Sequence, residues 1–194
     1  MVGVDRGTAI FWGLVCVLFG ASGFMGVQAE AQRRELQQAS GAIASGDVVT
    51  FVSVVDGDTV VVRSASDEAV TIRILGIKSF DQDRKGEMGE LGARAVGDLR
   101  RRLEGKPIRV ELHEKPQDDH GRTLATLYVD DEDVGLALVR EGTTLVYTAH
   151  PFPAMASYLQ EQAVARGDRR GLWALPDAVR AADGLSREWG ARAK

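Results

Sequence analysis

Two side chains of opposite charge stand out in residues 54–81, because their neighbours are mostly apolar and β-branched. Asp58 follows the dipeptide Asp56-Gly57 at the start of one apolar run, and Arg73 lies in the middle of the next. Asp-Gly between two such runs predicts a tight hairpin, because glycine accepts the positive φ that the turn needs. A carboxylate and a guanidinium on adjacent strands would be held rigidly, as a reactive site requires. Each also fits an ordinary role, Asp58 as a turn residue and Arg73 as a strand residue with a packed stem.

Apolar segments rich in β-branched residues predict five strands that would position these two side chains. The predicted strands are residues 48–55, 59–63, 70–77, 108–112 and 122–129. After the third strand, apolar residues recur every four positions from Leu91 to Leu103, which predicts a helix that starts near Glu87 and stops before Gly105. Two further helices are predicted over residues 134–141 and 154–166. Five short strands favour a small, partly open barrel over a sandwich.

The N-terminal segment predicts export. Residues 9–27 are almost all apolar or small, and Val27 and Ala29 have the spacing of a signal-peptidase site, which predicts cleavage before Glu30. The alternative is an uncleaved membrane anchor formed by residues 9–27, a length near the lower limit for a spanning helix. The predicted domain organisation is a signal peptide at 1–29, a polar linker at 30–46, a folded domain at 47–175 and a C-terminal tail at 176–194.

Composition and charge restrict the class of protein. The chain has 194 residues, a formal net charge of -4 and 44% hydrophobic residues, which is typical of a globular protein. An acidic balance argues against strong general binding to nucleic acid, although a local site remains compatible with it. The single cysteine, Cys16, lies in the N-terminal apolar stretch, so the rest of the chain offers neither a disulfide nor a cysteine-based zinc site.

A series of motifs in a fixed order resembles one known family. The motifs are Asp56-Gly57-Asp58-Thr59, Arg73-Ile74-Leu75-Gly76-Ile77, Asp119-His120-Gly121-Arg122, Ala137-Leu138-Val139-Arg140-Glu141-Gly142 and Gly171-Leu172-Trp173. In this order and spacing, residues 47–175 resemble the staphylococcal nuclease (thermonuclease) family. The resemblance implies a mainly β, α+β fold, a five-stranded OB-fold barrel with about three helices. It also implies calcium-dependent hydrolysis of DNA or RNA phosphodiester bonds.

The resemblance also implies roles for individual residues. Asp58 would be a calcium ligand, and Arg73 and Arg122 would be two catalytic guanidiniums that grip the phosphate, a task that suits their planar forks. Tyr147 would contact the substrate, since it offers a ring near the family's base-contacting tyrosines. Such chemistry needs a cation on the phosphate, a positioned water and positive charge around the transition state.

The loop after the third predicted strand departs from the family pattern of Asp-Thr-Pro-Glu. Lys78 stands where a second metal-binding carboxylate is expected, Ser79 offers a backbone carbonyl as a further calcium ligand, and Asp81 takes the place of the glutamate that activates water. An ammonium about 5 Å from Ca²⁺ is repelled by roughly 6 to 7 kcal/mol at an effective dielectric constant of 20. Asp81 is one methylene shorter than glutamate, and general-base geometry is strict.

Three states of the site are compatible with this loop. Calcium binds weakly through Asp58, loop carbonyls and water, or the Lys78 ammonium sits against Asp58 in place of the metal, or the site is inactive and the fold serves as a binding module. The sequence alone leaves all three open.

The leading prediction is a secreted or periplasmic, monomeric nuclease-like hydrolase with DNA or RNA as its substrate. If the signal peptide is cleaved, no stable membrane partner is expected. The alternative is a catalytically impaired OB-fold module that binds nucleic acid or a protein partner, as the altered loop and the acidic balance suggest. A third class, an envelope interaction protein held at the membrane by residues 9–27, follows if the N-terminus is not cleaved.

Overall fold

The computed structural model describes residues 43–192, which form eight strands and four α-helices. The strands are β1 (Val48–Asp56), β2 (Thr59–Arg63), β3 (Ala69–Ile74), β4 (Ile77–Lys78), β5 (Ile108–Gln117), β6 (Thr123–Val129), β7 (Glu132–Asp133) and β8 (Leu145–Val146). The helices are α1 (Glu87–Leu103), α2 (Val134–Arg140), α3 (Met155–Gly167) and α4 (Pro176–Arg192), with a 3₁₀ helix over Gly171–Ala174 between the last two.

Five of the strands close into a barrel. β1 pairs antiparallel with β2 and with β5, β2 pairs with β3, and β5 pairs with β6. A parallel pairing of β3 with β6, in which Ile72 lies opposite Thr123 and Ile74 opposite Ala125, closes the ring. β7 pairs with β6 outside the barrel. The predicted α+β fold with a five-stranded OB-fold barrel is confirmed.

The barrel interior is filled by side chains at alternating strand positions. Val60 and Val62 of β2 and Ile72 and Ile74 of β3 are completely buried, and β6 alternates buried with half-buried residues along its length. Helix α1 adds its fully buried Leu99 and Leu103 to the same core. The apolar residues that recur every two positions in the strands and about every four in the helix therefore pack into one core, as the sequence pattern predicts.

A second, smaller core lies under the C-terminal helix. Ala178, Ala182 and Trp189 of α4 are buried with Leu172 and Trp173 of the 3₁₀ helix. The structure thus has four α-helices in residues 43–192, where about three were predicted. Val179 and Leu185 of α4 are partly buried against the same core, so its apolar residues recur at helical spacing, whereas the sequence analysis assigned residues 176–194 only to a tail.

The third predicted strand, over residues 70–77, is interrupted. β3 ends at Ile74, Leu75 and Gly76 turn, and β4 then pairs with β8 in a separate two-stranded sheet. Gly76 has a φ of 77°, and a Cβ at this position would lie 2.4 Å from the ring of Phe152. The turn redirects the chain, so that Lys78 leaves the barrel sheet and its side chain contacts Asp58, immediately before β2.

The ends of the folded body differ slightly from the predicted boundaries. Ile43, in the predicted linker 30–46, is buried in the barrel core, and the Ser45 hydroxyl accepts a hydrogen bond from the amide of Leu112. Residues 9–27, the predicted signal peptide or anchor, lie outside the described residues. Within residues 43–192, no helix has both the length and the apolar character needed to cross a membrane.

Replacing Gly76 should test how tightly this turn is packed. Gly105 has a similar φ of 73°, but nothing lies within 4 Å of a Cβ built there. We expect Gly76→Ala to lower the free energy of unfolding by about 3 kcal/mol and Gly105→Ala by about 1 kcal/mol, because the first adds steric overlap to a shared backbone strain. Urea denaturation measures both values. Equal losses would mean that Phe152 moves aside at no cost.

Candidate functional site

Asp58 lies at the centre of a buried polar cluster, between the end of β1 and the start of β2. Its side chain is 1% exposed. Oδ1 lies 3.2 Å from Arg73 Nε and accepts a hydrogen bond from the Thr59 hydroxyl at 3.1 Å. Oδ2 accepts from Lys78 Nζ at 3.0 Å, from the Ser79 amide at 2.9 Å and from the Ser79 hydroxyl at 3.3 Å. Both carboxylate oxygens are therefore surrounded by donors, as a buried charge requires.

Arg73 is fixed in place by the strands around it. The register of β2 against β3 sets Arg73 opposite Thr59, the residue after Asp58. Besides the contact with Asp58, its Nη1 donates to the carbonyls of Ile74 at 2.7 Å and Asp58 at 3.2 Å, and its Nη2 donates to the carbonyl of Ile77 at 2.5 Å. Every nitrogen of the guanidinium thus contacts a protein oxygen. The structure places Arg73 beside Asp58, and these contacts hold its guanidinium in position.

Lys78 brings a second positive charge to Asp58. Its backbone is held by the β4–β8 pairing, in which Lys78 lies opposite the buried Leu145. Its side chain is 40% exposed, so the ammonium contacts Asp58 on one side and reaches solvent on the other. A contact of the Lys78 ammonium with Asp58 is a feature of one of the three states that the sequence leaves open.

The electrostatics of the cluster keep Asp58 ionised. Burial alone would raise the pKa of Asp58, but the charges of Arg73 and Lys78, with the Ser79 amide, lower it to about 2. Burial lowers the pKa of Arg73, and neighbouring Asp58 opposes that shift. Since the folded pKa of Asp58 lies below its ordinary 3.8, the carboxylate stabilises the fold above pH 4 and this contribution is lost as the pH falls toward 2. The shift corresponds to about 2 kcal/mol.

Arg122 reaches the same cluster from another strand. It immediately precedes β6, and the parallel pairing of β6 with β3 carries it to the side of the barrel where Asp58 lies. Its Nε and Nη2 lie 2.8 and 2.7 Å from Asp118 Oδ2, and its Nη1 is 3.4 Å from the Thr59 hydroxyl, which itself donates to Asp58. The structure therefore brings Asp58, Arg73 and Arg122 together.

Two predicted site residues lie at the margin of this cluster. Asp81 is exposed, and its Oδ1 accepts a hydrogen bond from the Asp83 amide at 2.9 Å, so the carboxylate caps its own loop. Tyr147 is half-buried, and its ring packs edge-on against the Trp189 ring, with 5.0 Å between the ring centroids. Tyr147 also lies close enough to Arg73 to affect the pKa of Arg73.

Ser79 contacts Asp58 through its amide and its hydroxyl, whereas the prediction concerned its carbonyl.

Asp56 is a member of the site that the sequence analysis treated only as a turn residue. Its Oδ1 accepts a hydrogen bond from the Asp58 amide at 2.9 Å. Burial raises the pKa of Asp56, and the neighbouring Asp58 carboxylate raises it further. The signal was present in the spacing, since two aspartates separated by one glycine in a tight turn are brought close together.

The residues present do not fit the calcium ion that the resemblance implies. Calcium takes six to eight oxygen ligands, mainly carboxylates, carbonyls and water. The oxygens of Asp58 instead accept from an amide, two hydroxyls, a guanidinium and an ammonium, and amide and ammonium nitrogens that carry protons cannot act as ligands. Among residues 43–192, no group of three or more His, Cys, Asp or Glu side chains is arranged to hold a metal.

Removal of the Lys78 charge should raise the pKa of Asp58. We expect Lys78→Met to raise it by about one unit, because the ammonium is partly exposed and its effect is partly screened by solvent. Lys85→Met removes the same charge from an exposed position of the following loop and should leave the Asp58 pKa unchanged. NMR titration of the Asp58 carboxyl carbon measures this pKa in the wild type, in Lys78→Met and in Lys85→Met. An unchanged pKa in Lys78→Met would contradict the direct contact.

Comparison with known proteins agrees with this architecture. The family model described as Staphylococcal nuclease homologue matches residues 71–175, a range that includes Arg73, Lys78 and Arg122 and begins after Asp58. Protein ParB of Escherichia coli is 32% identical over 139 residues, which cover 66% of this chain and 73% of that protein. The thermonuclease of Staphylococcus intermedius is 30% identical over 99 residues, covering 50% of this chain and 58% of that protein.

A further relative spans a similar range. The micrococcal nuclease of Shigella flexneri is 28% identical over 138 residues, which cover 66% of this chain and 74% of that protein. The family match, the closed barrel and the clustering of the motif residues agree with one another. The chain belongs to the staphylococcal nuclease homologue family.

Proposed function

We propose that this protein is a nuclease that hydrolyses phosphodiester bonds of DNA or RNA. Membership of the family and the relatives named thermonuclease and micrococcal nuclease support this activity. The observation that carries the proposal is the convergence of three cationic side chains, Arg73, Lys78 and Arg122, around Asp58 and Thr59 at one end of the barrel. Such a concentration of positive charge suits the anionic phosphate of a nucleic acid backbone.

The three cationic side chains differ in how accessible they are to a substrate. Arg73 is 8% exposed and is bound to backbone carbonyls, so its role is to hold Asp58 and shape the site. Arg122 is 29% exposed, and its Nη1 has only the long 3.4 Å contact with Thr59. Lys78 is 40% exposed. Arg122 and Lys78 are therefore the groups proposed to bind the phosphate oxygens and to stabilise the charge that builds up during attack by water.

Asp81 is the proposed base that takes a proton from the attacking water. Its carboxylate is exposed and accepts one hydrogen bond, from the Asp83 amide, which leaves the other oxygen available. To act on a phosphate held by Lys78 and Arg122, it would have to approach within hydrogen-bond reach of the water, and its short side chain makes this approach depend on the loop backbone. Tyr147 is proposed as a contact for the substrate base or sugar at the edge of the same site.

A non-catalytic alternative has its own structural support. Asp58 is saturated with protein donors, and Asp81 is hydrogen-bonded within its own loop. In this alternative, the barrel binds a nucleic acid strand or a protein partner without cleaving it. The donor set around Asp58 does not suit a calcium ion, so the proposed mechanism uses the cationic side chains alone.

Substitution of Arg122 should separate these functions. We expect Arg122→Ala to lower the rate of DNA or RNA cleavage by about 100-fold, the usual effect of removing one preorganised donor to a transition-state oxyanion. Arg100→Ala removes an exposed arginine from α1 and should cleave like the wild type. Cleavage of denatured DNA and of RNA from neutral to alkaline pH is the measurement. A wild-type protein that binds these substrates but does not cleave them would favour the binding module.

Export from the cytoplasm is proposed from residues 1–29, on the evidence of the sequence alone. When the full chain is expressed, we expect the protein recovered from the medium or the periplasm to begin at Glu30, as signal-peptidase cleavage after Ala29 requires. N-terminal sequencing measures this. Protein that begins at Met1 and remains in the membrane fraction would favour the anchored form.

A further inference from the structure

We infer that the Lys78 ammonium is the built-in cation of this site, so that the protein binds its phosphate ligand without a divalent metal. The inference concerns the same site as the proposed function, and it depends on that function only in taking the ligand to be a nucleic acid phosphate. The statement that Lys78 replaces a metal ion depends on the contacts of Asp58.

The backbone at Lys78 is held from several sides. Ile77 lies opposite Val146 and Lys78 opposite Leu145 in the β4–β8 pair, and both partners are buried. The Tyr147 amide donates to the Gly76 carbonyl at 2.8 Å, and Arg73 Nη2 donates to the Ile77 carbonyl. The residue therefore sits on rigid elements, and its side chain enters the site from a fixed position.

The carboxylate that would bind a metal already has its charge balanced. Asp58 Oδ2 receives the ammonium together with the amide and hydroxyl of Ser79, while Oδ1 receives Arg73 and Thr59. A divalent cation on Oδ2 would have to displace the ammonium, and it would then face the Ser79 amide, a positive dipole end. Although Asp56 adds a second carboxylate beside Asp58, the two protein cations in direct contact with Asp58 would repel a metal ion that approached its oxygens.

The same arrangement leaves binding capacity for an anion. An ammonium has three donors, of which Asp58 accepts one, and the Lys78 side chain is 40% exposed. Arg122 is linked to the other oxygen of the same carboxylate through the Thr59 hydroxyl, which lies 3.4 Å from its Nη1 and donates to Asp58 Oδ1. A phosphate between Lys78 and Arg122 would be bound by two positive charges that the chain itself supplies.

Calcium binding is the direct test, because it reads the site without any cleavage. We expect the wild-type protein to have the same melting temperature, and the same Ser79 and Thr59 amide NMR signals, in about 10 mM calcium as in magnesium at equal ionic strength. Lys78→Asp exchanges the ammonium for a carboxylate and should bind calcium at least about tenfold more tightly than the wild type. Lys85→Asp makes the same change of charge elsewhere in the loop and should gain nothing.

Binding of a single-stranded DNA oligonucleotide in the presence of a chelator tests the other half of the inference. We expect the wild type and Lys85→Gln to bind it equally, and Lys78→Gln to bind at least about tenfold more weakly. Lys78→Gln introduces no new charge, so this variant still tests the inference if Lys78→Asp does not fold.

The outcomes separate this inference from the proposed nuclease activity. Saturable calcium binding by the wild type, with shifts at Ser79, would overturn the inference and leave the nuclease proposal standing with a metal. Oligonucleotide binding by Lys78→Gln equal to the wild type would also overturn it. Absence of cleavage with or without calcium would end the nuclease proposal, whereas chelator-resistant binding that depends on Lys78 would still support the inference.

Discussion

The ion pairs of one buried carboxylate, Asp58 with Arg73 and Lys78, are the constraint on which the site depends. Removing a carboxylate from water is costly, and it is tolerated only when charges and hydrogen bonds replace the solvent. Here the replacements come from β2, β3 and the β4 segment, so these contacts tie two barrel strands and the separate β4–β8 pair to one residue. Loss of Arg73, the buried partner, would leave Asp58 with only the partly exposed Lys78 to balance its charge.

The same contacts limit what the site can do. The nitrogens of Arg73 are occupied by Asp58 and by backbone carbonyls, so substrate contact by Arg73 would require some of these hydrogen bonds to break. Lys78 and Arg122 are more exposed, and each contacts the Asp58–Thr59 pair. At the position where the family pattern has an acid, this chain places an ammonium in contact with Asp58, from a loop whose backbone is fixed by β4 and β8.

Much of the fold could be predicted because local patterns matched the tertiary environment. The alternation of β-branched residues in β2 and β3 and the four-residue repeat of α1 both point to faces that are in fact buried. Helix α4 was assigned only to a tail, although Ala178, Ala182, Leu185 and Trp189 recur at helical spacing and pack against the second core. The break at Gly76 was not predicted either, because residues 70–77 form one apolar run in the sequence and the Phe152 ring that packs against Gly76 is distant in sequence.

By itself, the sequence determined which residue types were present for the chemistry and in what order: an acid after an Asp-Gly turn, two arginines on different strands, and a lysine where an acid was expected. It also determined the five barrel strands approximately and the main helix, because those depend on local periodicity. Only the tertiary structure decided that the Lys78 ammonium contacts Asp58. The two residues are twenty positions apart, and the distance between their side chains is set by strand pairing and by the turn at Gly76, which no local pattern specifies.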